Sequence, residues 1–352
     1  LLSAEQARES GIVMRLGVAV RAIDRQAKSL ALSDGTMLAY DKLVLATGGQ
    51  ARRPEVEGMD LPGAHTLRTL DDARRLQRRL RAGKRLLVLG GGWIGLEVAA
   101  TARQAGLHVT VIEGGDRLCA RSVPPEISAF LLERHRRAGV DVQLNGMLTA
   151  VHASEDGALH AATHRGLREF DSIVAGVGLQ PNTGLAEACG LEVDNGIVVD
   201  AAGCTSDPDI HAAGDVTNQP CSWAGARPGM RVRLESWANA QNQGIAVGRA
   251  LAGMEPGRQD PPWFWSDQYG VNLQVLGMPV PHALTIRRGS EDDGKFCLFQ
   301  FVDDRLHAVI SVNMPRELKL AKRWMKAGVR PDPGELADPD FRLDKFKAVA
   351  TL

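Results

Sequence analysis

The run Arg85-Leu86-Leu87-Val88-Leu89-Gly90-Gly91-Gly92-Trp93-Ile94-Gly95 decides the fold. A short apolar strand meets glycines spaced Gly90-x-Gly92-x-x-Gly95, and a helix-like stretch follows from Leu96 to about Ala105. A second strand, Leu107 to Ile112, ends on Glu113, about 20 residues on, as a dinucleotide fingerprint requires. Each position has a physical reason. Gly90 permits the tight turn, Gly92 lets the backbone approach a pyrophosphate, and Gly95 lets the helix pack on the strand. The helix N-terminus then faces the phosphates, and Glu113 accepts hydrogen bonds from a ribose. A GxGxxG motif alone is weak evidence. Between two strands, with the acid in place, it is strong.

Outward from this unit the chain is an ordinary globular one. Its 352 residues suggest two or three domains, with 44% apolar and 24% charged residues. Forty-two basic residues balance 42 acidic ones, which argues against a nucleic-acid or membrane-surface binder. No apolar run approaches the ~20 residues of a membrane span. Cys119, Cys189, Cys204, Cys221 and Cys297 share no CxxC spacing, and no Cys/His cluster has zinc-ligand spacing. They read as scattered reduced thiols, so a cytoplasmic protein without a metal site is expected.

Before the fingerprint, residues 3–10 read as the end of a helix, stopped by Gly11. β-like runs follow at Val13–Leu16, Val18–Ile23, Ser29–Leu32 and Thr36–Tyr40, with Asp34-Gly35 as a hairpin turn. Pro54 to Gly63 reads as a loop crossing between domains. Helices are expected at 69–80, 125–137, 236–252 and 315–327. Strands are expected at 140–144, 147–152, 159–164 and 172–175, and in the tail at 271–276, 283–287, 296–302 and 306–312. From about 262 the chain has the pattern of a small α+β domain. The helix at 69–80 and the residue after it carry Arg74, Arg75, Arg78, Arg79 and Arg81, either a solvated face or a surface for an acidic protein.

Three further strand ends carry site chemistry. Asp41–Gly48 ends in Ala46-Thr47-Gly48, a small hydroxyl and a glycine that make room for a cofactor's phosphate or adenine face. A second apolar strand meets Gly176-Val177-Gly178. The run Thr205–Asp215 ends in Gly214-Asp215, where a polyol passes close to the backbone and the acid, expected at a helix start, binds its hydroxyls.

In this order, the three motifs and the fingerprint resemble the FAD-dependent NADH:ferredoxin reductases, the family of putidaredoxin reductase and the Rieske dioxygenase reductase components. Gly90–Ala100, Arg233-Leu234-Glu235-Ser236-Trp237, Trp263-Phe264-Trp265-Ser266-Asp267-Gln268-Tyr269 and Val312–Leu318 also fit, so the resemblance spans the chain. It implies an α/β fold of two Rossmann-like domains, for FAD and NAD, plus a small α+β C-terminal domain. The implied boundaries are 1–61 and 182–261 for FAD, 62–181 for NAD and 262–352 for the tail. The family also opens with another strand-GxGxxG-helix unit for the ADP half of FAD. No GxGxxG lies upstream of residue 85, so the chain is expected to lack about 50–60 residues of that unit.

The resemblance implies electron flow from NADH through FAD to a [2Fe–2S] ferredoxin that feeds a dioxygenase or cytochrome P450. Gly90, Gly92, Ile94 and Gly95 would hold NADH. Glu113 would bind its ribose and repel the 2′-phosphate of NADPH. Glu97 would lie near the nicotinamide carboxamide, and Gly176 and Gly178 would let the nicotinamide end pass. Thr47, Gly48, Arg52 and Asp215 would contact FAD, with Glu235 and Trp237 at the flavin edge, although a bare Trp reads equally as a core aromatic. Trp263, Trp265 and Tyr269 read first as core. Arg227, Arg231 and Arg233 would steer an acidic ferredoxin, or serve as structural pairs. The chain is expected to be a monomer or weak dimer. Two other readings stay open, a same-fold NADH oxidase or disulfide reductase and a non-catalytic NAD- or FAD-binding interaction protein.

Overall fold

The computed structural model describes residues 2–155, 157–221 and 229–346. At its centre is a five-stranded parallel sheet. Its spatial order is Ala64–Thr66, Ser172–Ala175, Arg85–Leu89, His108–Ile112 and Asp141–Gln143. Leu86, Leu87 and Val88 are fully buried because helices and loops cover both faces of a central parallel strand. Helices Trp93–Gln104 and Pro125–Arg137 make the crossovers. Helix Leu70–Gln77 begins with a capping box, in which Thr69 and Asp72 exchange side-chain and backbone hydrogen bonds.

A three-stranded antiparallel meander, Leu148–Ala153, Leu159–Thr163 and Gly166–Phe170, precedes the last parallel strand. Its third strand was not expected, since Gly166-Leu-Arg-Glu-Phe has one buried residue and two charges. Tight pairing of Thr163 with Gly166 forms it.

A second unit lies on either side of this one in sequence. Leu43–Leu45 runs parallel to Ile210–Ala212. The meander Val20–Asp24, Ser29–Leu32 and Met37–Ala39 and helix Trp237–Leu251 complete it. The expected strand at Val13–Leu16 does not form, and Val13 and Leu16 are exposed. The chain crosses between the units through the antiparallel pair Gly49–Ala51 and Leu179–Pro181. This crossing precedes the expected boundary at 61. Met59 is buried with Leu87, Leu89 and Ile112, so the Pro54–Gly63 loop packs on the central sheet.

The C-terminal unit is a five-stranded antiparallel sheet, ordered Trp263–Gln268, Val271–Gly277, Arg305–Val312, Lys295–Val302 and Leu284–Ser290. Helix Pro315–Ala327 packs on it, started by Pro315 and stopped by Gly328 in the left-handed region at φ 68°. The first strand was missed because its pattern is inverted. Ser266 and Gln268 point inward, at 2% and 6% exposure, while Trp265 points out.

One apolar core joins this sheet to the central unit. It contains Leu96, Val98, Phe130 and Leu131 from the crossover helices and Val271, Leu273, Phe296 and Ile310 from the C-terminal sheet. Phe130 meets Phe296 edge to face at 5.4 Å. Replacing Phe296 with Ala should cost about 3–5 kcal/mol. Hydrogen exchange would check the shared core, with protection falling in helix Pro125–Arg137 as well as in the C-terminal sheet.

Asp209, beside the strand Ile210–Ala212, receives Lys28 at 2.5 Å and Lys42 at 2.7 Å. The Lys28 and then the Lys42 ammonium hold its carboxyl down to about 2. Because the folded value lies below the ordinary ~3.9, this stability is present above pH ~4 and is lost as pH falls toward 2. Urea midpoints at pH 5 and pH 2.5 should therefore fall further in the wild type than in a Lys28→Met, Lys42→Met variant.

Candidate functional site

The glycine loop sits at the C-terminal end of strand Arg85–Leu89, where open parallel sheets bind ligands. Gly90 has φ 95°, and a Cβ there would lie 2.5 Å from the Gly176 carbonyl oxygen. A Cβ on Gly95 would lie 2.0 Å from the Gly90 carbonyl oxygen, so helix and strand touch backbone to backbone. Gly92 differs. It caps the helix, and a Cβ there would meet nothing within 4 Å, which leaves its backbone open to a ligand. Ile94 is exposed beside it. Gly176 donates its N–H to Leu89 (2.8 Å), joining the second strand end to the first.

Glu113 serves the loop as well as any ligand. Its Oε2 accepts from the Gly91 N–H at 2.5 Å and its Oε1 from the Gly115 N–H at 2.7 Å. A carboxylate has about four lone-pair sites, so acceptor capacity remains for ribose hydroxyls. Glu97 lies one turn into the helix Trp93–Gln104. Its Oε1 accepts from the Ser266 hydroxyl at 2.6 Å, and burial raises its pKa against the effect of that hydrogen bond.

The residues expected to meet FAD gather at the crossing. Thr47 donates its hydroxyl to the Asn182 carbonyl (2.8 Å), and Asn182 returns its amide to the Thr47 carbonyl (2.9 Å). Gly48, at φ 59°, accepts from the Asn182 N–H. Arg52 reaches the site through its backbone, donating its N–H to Gly178 at 2.9 Å. Asp215 lies in a turn before strand Thr217–Pro220, not at a helix start as expected. The reason is local: Thr217 donates its N–H and hydroxyl back to the Gly214 carbonyl, closing the turn.

Arg68, given no role from the sequence, bridges this site. Its Nη2 pairs with Asp215 at 2.8 Å and its Nε donates to the Gly49 carbonyl at 3.1 Å. Nothing in Thr66–Thr69 signals that role, which exists only because the crossing brings Gly49 and Asp215 together.

Trp237 opens helix Trp237–Leu251, capped by Ser236, and is 54% exposed. Its core alternative is thereby overturned. Trp265 is exposed too, stacked on Trp263 at 5.0 Å. Glu235 pairs with Arg233 at 2.5 Å.

Of Arg227, Arg231 and Arg233, two make the structural contacts that were the alternative to docking. Arg233 is largely buried in that pair, and Arg231 donates to the carbonyls of Val199 (2.6 Å) and Asn218 (2.5 Å). Arg227 lies outside the described residues. The basic helix face does form a groove, lined by His65, Arg75, Arg78, Arg79, Lys84 and Arg85. Lys84 and Arg85 stand at the start of their strand, so the groove lies at the opposite end of the sheet from the glycine loop.

Among the described residues no group of His, Cys, Asp and Glu could hold a metal ion, and no helix is long and apolar enough to cross a membrane.

Comparison with known proteins places this geometry. Residues 3–244 match the pyridine nucleotide-disulphide oxidoreductase family, and residues 263–347 match the reductase C-terminal domain. The ferredoxin–NAD(+) reductase component of the anthranilate 1,2-dioxygenase system of Burkholderia cepacia is 43% identical, over 95% of this chain and 82% of that protein. Putidaredoxin reductase of Pseudomonas putida is 40% identical, over 95% of this chain and 80% of that protein. The crystal structure of the covalent putidaredoxin reductase–putidaredoxin complex superposes with a TM-score of 0.92 at 37% identity, covering 98% of this chain and 83% of that one. The chain therefore belongs to the pyridine nucleotide-disulphide oxidoreductase family and, with its reductase C-terminal domain, is an oxidoreductase of the ferredoxin–NAD(+) reductase kind.

Proposed function

We propose that this chain takes electrons from NADH and passes them, through FAD, to a [2Fe–2S] ferredoxin that supplies a dioxygenase or a cytochrome P450. The observation that carries the reading is that the residues expected to hold NADH and those expected to hold FAD meet at one crossing. The glycine loop with Glu113 lies on one side, and Thr47, Gly48 and Asp215 lie on the other, linked through Gly176–Gly178 and Arg68. The relatives' names, which speak of ferredoxin and NAD(+), support the same direction of flow. The unit before the crossing and the unit from Asn182 onward would form one FAD domain around the NAD domain. The protein would act in the cytoplasm as a monomer or weak dimer.

Thr47, Gly48 and Asp215 fit the polyol and phosphate portion of FAD, because a small hydroxyl, a left-handed glycine and an acid converge there. The exposed Trp237 offers apolar surface to a flavin. When bound, FAD supplies a hydride acceptor that releases its electrons one at a time. This chain's residues bind and orient. Gly90, Gly92 and Gly95 cradle the NADH pyrophosphate on the helix N-terminus. Glu113 holds the ribose, and Glu97 accepts from the nicotinamide carboxamide. Trp237 and Trp265 present aromatic surface beside the flavin edge to the partner.

The disulfide-reductase alternative needs an activated thiolate. Among the cysteines of this sequence, burial instead pushes the Cys221 thiol up to about 11 and that of Cys297 up to about 12, and raises those of Cys119, Cys189 and Cys204.

An anaerobic absorbance spectrum of the FAD-loaded protein tests the reading. One equivalent of NADH should bleach the flavin bands, and NADPH should do so slowly. Bands that persist with NADH would overturn it. Replacing Glu113 with Gln should raise the ratio of kcat/KM for NADPH over NADH about tenfold, the factor of ~1.4 kcal/mol, as steady-state rates with both dinucleotides would read.

A further inference from the structure

A line of hydrogen-bonded side chains, buried at Ser266, Gln268 and His135 and half-buried at its two ends, runs from Glu97 through the C-terminal domain and back to the central unit. The Tyr269 hydroxyl lies 3.2 Å from His135 Nδ1, and His135 Nε2 lies 2.8 Å from Gln268 Oε1. Gln268 Nε2 donates to Ser266 Oγ at 3.0 Å, and the Ser266 hydroxyl donates to Glu97 Oε1 at 2.6 Å. With Gln268 in this orientation one proton arrangement satisfies every link. Tyr269 donates to His135, His135 to Gln268, Gln268 to Ser266 and Ser266 to Glu97. All donors point toward the Glu97 carboxyl group, and such chains polarise one another.

The elements explain the alignment. Ser266 and Gln268 are two residues apart on strand Trp263–Gln268, so they share its inward face. That face lies between helix Trp93–Gln104, which carries Glu97, and helix Pro125–Arg137, which carries His135. His135 is fully buried, and burial keeps it neutral against the effect of its bond to Gln268. A neutral imidazole is what a donor–acceptor relay requires. Glu97 Oε1 is anchored, whereas Oε2 has no partner among the described residues, which leaves that oxygen to a ligand N–H.

We propose that Gln268, His135 and Tyr269 are positioning residues that aim the Glu97 carboxylate at the amide of the nicotinamide ring, so that the C-terminal domain sets the affinity of a site in the NAD domain. The proposal rests on the reading that Glu97 faces the carboxamide, and one experiment separates the two. Isothermal titration compares NADH with its 3-acetylpyridine analogue, which lacks the amide N–H, on the wild type and on Glu97→Gln, Gln268→Leu and Tyr269→Phe variants. Thermal midpoints are recorded beside each titration.

Glu97→Gln, Gln268→Leu and Tyr269→Phe are each expected to weaken NADH about threefold to tenfold and to leave the analogue's affinity near that of the wild type. A Glu97→Gln loss shared equally by both dinucleotides, or no loss at all, overturns the reading of Glu97 itself. A Glu97→Gln loss specific to NADH, with Gln268→Leu and Tyr269→Phe binding NADH as the wild type does, overturns the positioning role. Should these two variants weaken both dinucleotides alike as their midpoints fall, the chain is merely structural and the proposal is likewise overturned. Tyr269→Phe removes a single hydroxyl, and so keeps the proposal testable if Gln268→Leu fails to fold.

Discussion

The dinucleotide half of the molecule depends on a contact with no side chain in it. The first turn of helix Trp93–Gln104 rests on the end of strand Arg85–Leu89, with Gly95 over the Gly90 carbonyl and Gly176 against both. A methyl group at any of the three would push helix and strand apart or collide with the neighbouring strand end. Overpacking of this kind costs about 1–3 kcal/mol in a packed interior. The close approach has a second consequence. It brings the helix N-terminus, with its unsatisfied N–H groups, to the strand end where Gly92 stands open. Glu113 then ties the loop down through Gly91 and Gly115. Packing and ligand chemistry are therefore one arrangement here.

The C-terminal sheet is joined to the central unit by two interactions of different character. The apolar one, through Phe130, Phe296, Val271 and Leu273, supplies stability in proportion to the area removed from water. The polar one, from Glu97 to Tyr269, supplies geometry, because hydrogen bonds fix distance and direction where dispersion does not. Buried polar groups are costly unless paired. The strand Trp263–Gln268 meets that condition by turning its small polar residues inward and its large aromatic Trp265 outward. The exposure of Trp265 follows from this inversion. Helix Trp237–Leu251, which presents the exposed Trp237, packs against the same strand.

Cations illustrate how context decides a side chain's work. Arg231 and Arg233 stand next to the flavin-edge motif in sequence, and their guanidinium groups donate to backbone carbonyls, Asn195 and Glu235. Arg68, in an undistinguished stretch, instead joins Gly49 to Asp215. The difference lies in what the crossing brings within reach, and not in residue type.

The sequence by itself determined whatever rests on local spacing. The strand–glycine–helix unit with its acid, the helices begun by Pro125 and Pro315, the alternation of the tail strands and the strand ends at Thr47, Gly176 and Asp215 were all legible there. Each depends on backbone freedom, capping or periodicity, which neighbouring residues settle among themselves. Tertiary structure alone decided the rest. It assigned Arg68 to Asp215, exposed Trp237, absorbed Arg231 and Arg233, turned strand Trp263–Gln268 inside out and drew His135 into line with Glu97. These outcomes depend on partners far apart in the chain, whose meeting is set by how the sheets and helices pack, and no local pattern encodes such a meeting.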